Sequence, residues 1–252
     1  MPPLADLSHK TTIVVGASRG LGRGIAAAFA QAGASVVAVA RNAAALADLA
    51  AAESGHIEPV SADATDPSVA GTLLDRYEPR AVILVAGATP LMRPLQKHTW
   101  ETFSANWQTD VRMAFHWVRE ALLRPLEPGS RVVVMSSGAA LQGSPLSGGY
   151  AGAKASQRFI AAYAQDEAAR AALGISVTAV LPRITPLTDL GRPAVRAYAA
   201  RAGQSEEEYL KAFGDPLTPE GAGAACVQLI EADAATLAPA YLLTGAGLKE
   251  LA

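Results

Sequence analysis

Seven short runs of β-branched and aliphatic residues recur along the chain: TTIVV (11–15), SVVAVA (35–40), HIEPVSA (56–62), AVILVAG (81–87), RVVVMSS (131–137), ISVTAVLP (175–182) and AYLLTG (240–245). Longer segments rich in Ala and Leu separate them, so the pattern predicts alternating strands and helices. Most of the runs are apolar at every position instead of every second one. That suits parallel strands covered by helices on both faces and joined by right-handed crossovers. The expected fold is a doubly wound parallel α/β sheet in three layers, and such sheets bind ligands beyond the carboxyl ends of their strands. Residues 183–216 break the rhythm with Pro, Gly and a charge-rich helical stretch, and they are the candidate lid. No internal repeat, linker or composition shift marks a boundary, so one domain over 1–252 is expected.

Composition narrows this picture. Half of the 252 residues are hydrophobic, 17% are charged and the formal charge is -2, which supplies a core and offers no basic field for nucleic acid. The single cysteine, Cys226, lies in the apolar run GAACVQLI and reads as a core residue, excluding a disulfide framework. The start, MPPLADLSHK, lacks a charged segment followed by an apolar one, and no uninterrupted apolar stretch of about 18 residues occurs. A soluble, cytoplasmic protein without a membrane partner is expected. His9, His56, His98 and His116 are scattered without zinc-site spacing, so no metal is expected.

Chemistry enters at the ends of the runs. VGASRGLGRG follows the first run and opens a helix expected to end at Gly33, with Gly16, Gly20 and Gly22 placed where backbone must approach a pyrophosphate closely. The second run ends with Arg41 where a carboxylate would bind free ribose hydroxyls, and Arg19 adds a second cation. The pair predicts NADPH in preference to NADH. Tyr150 and Lys154 are four apart in a segment expected to be helical over 149–172, so they share a face. An adjacent ammonium favours the phenolate and suits Tyr150 to acid–base work, while the small Ala and Gly spacers leave room for a flat ring. Ser137 closes the fifth run and can hydrogen-bond a carbonyl oxygen held against that phenol.

Glycine loop, serine and Tyr-x-x-x-Lys, in this order and spacing, resemble the compact branch of the short-chain dehydrogenase/reductase family over nearly the whole chain. The resemblance implies a Rossmann-like fold and an NADPH-dependent oxidoreductase acting on a small carbonyl or alcohol. Tyr150 would be the acid–base, Ser137 the carbonyl-positioning group, and Lys154 both cation and ribose ligand. It also implies cofactor contacts from Ser18 and Leu21 in the loop, Asp63 and Ala64 after the third run, Ala86 and Gly87 after the fourth, and Pro182, Ile184 and Thr185 after the sixth. Three positions depart from the family pattern: Val85 replaces an asparagine, Asp110 stands where a helix asparagine serves a water relay through its backbone carbonyl, and Arg183 replaces a glycine. Asp110 can substitute for that asparagine, with Asn106 as the other candidate, or its carboxylate can pair with Lys154 and weaken the effect on Tyr150. These departures motivate a second reading, a catalytically silent NADP(H)-binding regulator or scaffold.

A substrate pocket is expected between Gly138–Pro145, Thr89–Arg93 and the lid, where Leu187, Tyr198, Tyr209 and Phe213 offer apolar surface and Arg93 or Arg183 a possible anion contact. Segments 99–124 and 149–172 carry Phe103, Trp107, Phe115 and Phe159, and the resemblance implies pairing of these helices in a homodimer or homotetramer. Trp100, Trp107 and Trp117 are expected in core or interface packing.

Overall fold

The computed structural model describes residues 7–251 apart from His9, Ser54 and Pro125, so most of the N-terminal stretch read for a leader lies outside the described residues. The strands are β1 (Thr11–Val15), β2 (Ser35–Ala40), β3 (Ile57–Ser61), β4 (Ala81–Leu84), β5 (Arg131–Met135), β6 (Ser176–Pro182), β7 (Ala240–Thr244) and β8 (Gly247–Leu251). They form one sheet in the order β3-β2-β1-β4-β5-β6-β7-β8, parallel except for the β7–β8 hairpin. Strand order reverses between β1 and β4, and the crevice that this leaves at the strand ends holds the site described below.

Alternate residues of each strand feed two separate cores, which is why the runs look continuously apolar. Val14, Val36 and Val133 point to one face, where Ile25 and Phe29 of α1 (Gly20–Gln31), Leu46 of α2 (Ala43–Ala52) and Cys226 of α10 (Pro219–Glu231) cover them. Ile13, Val37 and Val132 point to the other, beneath Leu73 of α3 (Pro67–Tyr77), Trp117 of α5 (Arg112–Leu123) and Ala161 of α7 (Tyr150–Arg170). Each fully buried side chain of Leu, Ile or Phe size contributes roughly 1.5–3 kcal/mol relative to exposure. Burial pushes the Cys226 thiol up to about 12, in keeping with its place in the core.

The expected strands are present with shorter tails. AVILVAG ends as a strand at Leu84 and RVVVMSS at Met135, because the chain then lifts out of the sheet to line the crevice. Helix α1 stops at Gln31, two residues before Gly33, and α7 spans 150–170 rather than 149–172. Segment 99–124 is not one helix: α4 (Trp100–Asn106) passes through a π turn at Trp107–Val111 before α5. Strand β8 has no counterpart in the sequence reading, since GLKEL exposes Lys249 and Glu250 and carries too few apolar residues to register as a run. Its charged side chains suit an outer edge. At the opposite edge, β3 tolerates Pro59 because it pairs with β2 alone.

Candidate active site

The glycine loop joins β1 to α1. Gly16 adopts a φ of 99°, and a Cβ there would lie 2.5 Å from Ala86 N. A Cβ on Gly22 would lie 2.1 Å from the carbonyl oxygen of Gly16. Bare backbone therefore packs the loop against the turn after β4. Asn42 and Asp66 cap α2 and α3 with their side chains, whereas Arg19, at the N-cap of α1, makes no side-chain cap and leaves the first-turn N–H groups without one. Such a loop and helix end accept phosphate oxygens, and the residues present fit a dinucleotide.

Arg41 is exposed at the end of β2. Arg19 is partly committed, with Nη2 donating to Thr89 Oγ1 at 3.3 Å and Nη1 lying 3.8 Å from Asp189 Oδ2. Asp63 closes a turn beyond β3, and donation from the Thr65 N–H and hydroxyl holds its carboxyl below the usual range. The neighbouring Ala64 carbonyl accepts from Trp117 Nε1 at 3.2 Å, which ties this turn to α5.

Tyr150 and Lys154 share one face of α7, and Lys154 Nζ lies 5.7 Å from the centre of the Tyr150 ring. Ser137, half-buried just past β5, accepts from Ala139 N–H at 3.2 Å, leaving its own hydroxyl proton to a ligand. Ser136 Oγ donates to the Lys154 carbonyl at 2.6 Å and locks α7 onto β5.

Beneath this pair lies a buried polar group. Lys154 Nζ donates to the Met135 carbonyl at 3.1 Å and to Gln157 Oε1 at 2.8 Å, and it sits 3.2 Å from Asp110 Oδ2. Asn106 does not face Lys154 in this way. Its Nδ2 donates to the Ala88 carbonyl at 2.7 Å and to Asp110 Oδ1 at 3.3 Å. Asp110 meets the ammonium, and Asn106 holds Asp110 from the other side. A Cβ on Gly87 would fall 2.7 Å from Asp110 Oδ2, so the carboxylate occupies space that only glycine leaves open. Removing one partner of a buried ion pair typically costs about 3–5 kcal/mol.

The segment after β6 folds across the crevice as α8 (Gly191–Ala202) and α9 (Glu206–Lys211). Thr185 Oγ1 donates to the Leu217 carbonyl at 2.7 Å and closes the base of this excursion, while Ser144 and Tyr198 join it by a hydroxyl contact to the loop after β5. Tyr198 stacks on Tyr209 with ring centres 6.3 Å apart, and Tyr209 lies 5.1 Å from Phe213. Burial and the neighbouring Tyr198 push the Tyr209 phenol up. Arg183 lies over Phe213, whereas Arg93 does not line the cleft and instead donates to the Lys97 carbonyl at 3.2 Å.

These elements enclose a continuous cleft of about 1050 Å³. The loop residues Gly16 and Ser18 to Gly22 line it, as do Arg41, Asp63, Ala64, Ala86 and Gly87. Ser137, Tyr150, Lys154 and Asp110 line it too, together with Pro182, Ile184 and Thr185. Every catalytic and cofactor-contacting residue expected from sequence therefore reaches one cavity, whereas Thr89, Arg93 and Leu187, expected at the substrate pocket, do not line it. Missed were Gln157, Thr65 and the Ser144–Tyr198 contact. Gln157 stands three residues after Lys154, so helical spacing alone could have found it.

The sequence profile described as short chain dehydrogenase matches residues 10–199. The chain belongs to the short-chain dehydrogenase family. Members of this family are oxidoreductases that use nicotinamide cofactors. This member is 31% identical over 245 residues to hydroxynaphthalene reductase arp2 of Aspergillus fumigatus, covering 90% of this chain and 88% of that one. It is also 31% identical over 187 residues to a hydroxynaphthalene reductase-like protein of Metarhizium majus, covering 70% and 68%. A solved structure from Beutenbergia cavernae, assigned as an NAD(P) dependent gluconate 5-dehydrogenase with NADP bound at low occupancy, matches with a TM-score of 0.75 and 26% identity over 90% of this chain and 91% of that one. A Brucella melitensis short-chain dehydrogenase/reductase shares the fold, with a TM-score of 0.81 and 19% identity over 94% and 96%.

Proposed function

We propose that this short-chain dehydrogenase is an NADPH-dependent reductase of a small carbonyl compound, or the corresponding alcohol dehydrogenase. The observation that carries this reading is the convergence of Ser137, Tyr150 and Lys154 on the wall of a cleft whose other end is the glycine loop. Ser137 holds the carbonyl oxygen, Tyr150 hands it a proton, and the buried Lys154 ammonium favours the phenolate that remains. The loop from Gly16 to Gly22 takes the pyrophosphate, Arg41 with Arg19 the 2′-phosphate, and the Lys154 N–H not given to Met135 or Gln157 a ribose hydroxyl. When bound, the nicotinamide supplies the hydride.

Tyr198, Tyr209 and Phe213 form an aromatic wall beside this group, which supports a planar, largely apolar ketone as substrate. The names of the hydroxynaphthalene reductases point the same way. The exposed Trp100, Phe115, Phe159 and Tyr163 on α4, α5 and α7 support a homodimer or homotetramer.

The test is NADPH consumption across ketones, aldehydes and quinones, fused-ring aromatic ketones included. Tyr150→Phe is expected to lower turnover of any accepted substrate by more than about a hundredfold while cofactor binding persists. Retained turnover removes Tyr150 from the mechanism. Silence across the panel with tight cofactor binding favours the regulator reading that Val85 and Asp110 motivate.

A further inference from the structure

The two carboxylate oxygens of the buried Asp110 are used differently. Oδ1 accepts from Ala88 N–H at 2.8 Å and from Asn106 Nδ2 at 3.3 Å. Oδ2 has no hydrogen-bond donor aimed at it, yet it lies 3.2 Å from Lys154 Nζ, so this contact is charge against charge without hydrogen-bond geometry. Gln157, fully buried, spans the remaining gap: Oε1 accepts from Lys154 Nζ and Nε2 donates to the Asp110 main-chain carbonyl at 2.9 Å. An amide thus links that carbonyl to the ammonium.

Facing Lys154 are Tyr150 from its own helix and Asp110 from the π turn. Strand β5 contributes the Met135 carbonyl, and the turn after β4 presents to Asp110 the Gly87 and Ala88 backbone, none of it charged. Lys154 and Asp110 are both almost wholly shielded from solvent, so water and salt screen the pair only weakly.

We propose that Asp110 and Gln157 are positioning residues that set how strongly Lys154 acts on Tyr150: Gln157 fixes the ammonium, and the Asp110 carboxylate offsets its charge. The proposal rests on the reading of Tyr150 as the acid–base group. In the neutral variants Asp110→Asn and Asp110→Ser, the uncompensated ammonium favours the phenolate more. In Gln157→Leu, the ammonium loses its second acceptor and settles against the carboxylate, so the phenolate is favoured less.

Ultraviolet difference titration of the cofactor-free protein reads this directly, with the Tyr150 signal isolated by subtracting the matching Tyr150→Phe variant. Thermal melts identify which variants are folded. The Tyr150 signal is expected at lower pH in both Asp110 variants than in the unsubstituted protein and at higher pH in Gln157→Leu. No displacement of a folded variant, displacement of an Asp110 variant to higher pH, or displacement of Gln157→Leu to lower pH overturns the proposal, and general loosening of the site would move all three together. Two Asp110 variants are used so that misfolding of one leaves the other to decide. The readout needs no substrate: displacement as expected in a chain that turns over no carbonyl compound would leave this inference standing and overturn the proposed function.

Discussion

Arg41 stands where β2 hands over to α2, with its guanidinium exposed and no carboxylate beside it on that strand end. A planar cation there pairs with a 2′-phosphate and gives a bare ribose nothing comparable. Arg41→Asp is therefore expected to raise the NADPH dissociation constant at least about tenfold, equivalent to 1.4 kcal/mol, and to leave NADH binding unchanged or tighter. Fluorescence titration with both cofactors checks this, and equal constants in the unsubstituted protein would discard the NADPH assignment. Arg19 is the less selective of the two, since it already contacts Thr89 and Asp189. At this scale Tyr150 and Lys154 were legible because helical spacing places them on one face. Asp110 was legible as a departure from the family pattern, but its contact with Lys154 depends on how a separate segment packs against α7.

Helix α1 crosses α10 closely because small residues line the contact. A Cβ on Gly24 would lie 2.3 Å from the Pro219 carbonyl oxygen, and one on Gly223 would lie 2.5 Å from Ala28 Cβ. Gly24→Ala gains roughly 1 kcal/mol of helix propensity and is nonetheless expected to destabilise, since overpacking against backbone costs about 1–3 kcal/mol or more. Each net kcal/mol lowers Tm by about 2–4 °C in a protein of this size, so a calorimetric melt several degrees below the unsubstituted protein is the expected result. An unchanged or higher Tm would mean that the helices move apart at little cost. Elements with a strong apolar period were readable. The π turn at Trp107–Val111 was not, because it answers to the polar contacts of Asn106 and Asp110 with the turn after β4.

Over the whole molecule the three tryptophans take different places. Trp117 points from α5 into the core, whereas Trp100 is 73% exposed and Trp107 lies partly exposed in the π turn. Trp100 stacks on Phe103 and Phe159 on Tyr163, which leaves aromatic surface on α4 and α7 facing solvent in a single chain. Patches of this kind mark interaction sites. Light scattering is expected to give a multiple of 25.9 kDa at micromolar concentration, and the double variant Phe115→Glu with Phe159→Glu is expected to shift the mass toward one chain. A 25.9 kDa particle for the unsubstituted protein would contradict the oligomer.

By itself the sequence determined which stretches are strands with two buried faces, where backbone must turn bare on glycine after the first strand, and which phenol and ammonium share a helical turn. All three depend on neighbours within a few residues, so period and residue type suffice. Tertiary structure alone decided that Asp110 and Gln157 meet Lys154, that Tyr198, Tyr209 and Phe213 become one wall of the cleft, and that Arg93 stays outside it. Those outcomes depend on where crossovers deliver the ends of distant elements, and hydrophobic periodicity carries no record of that.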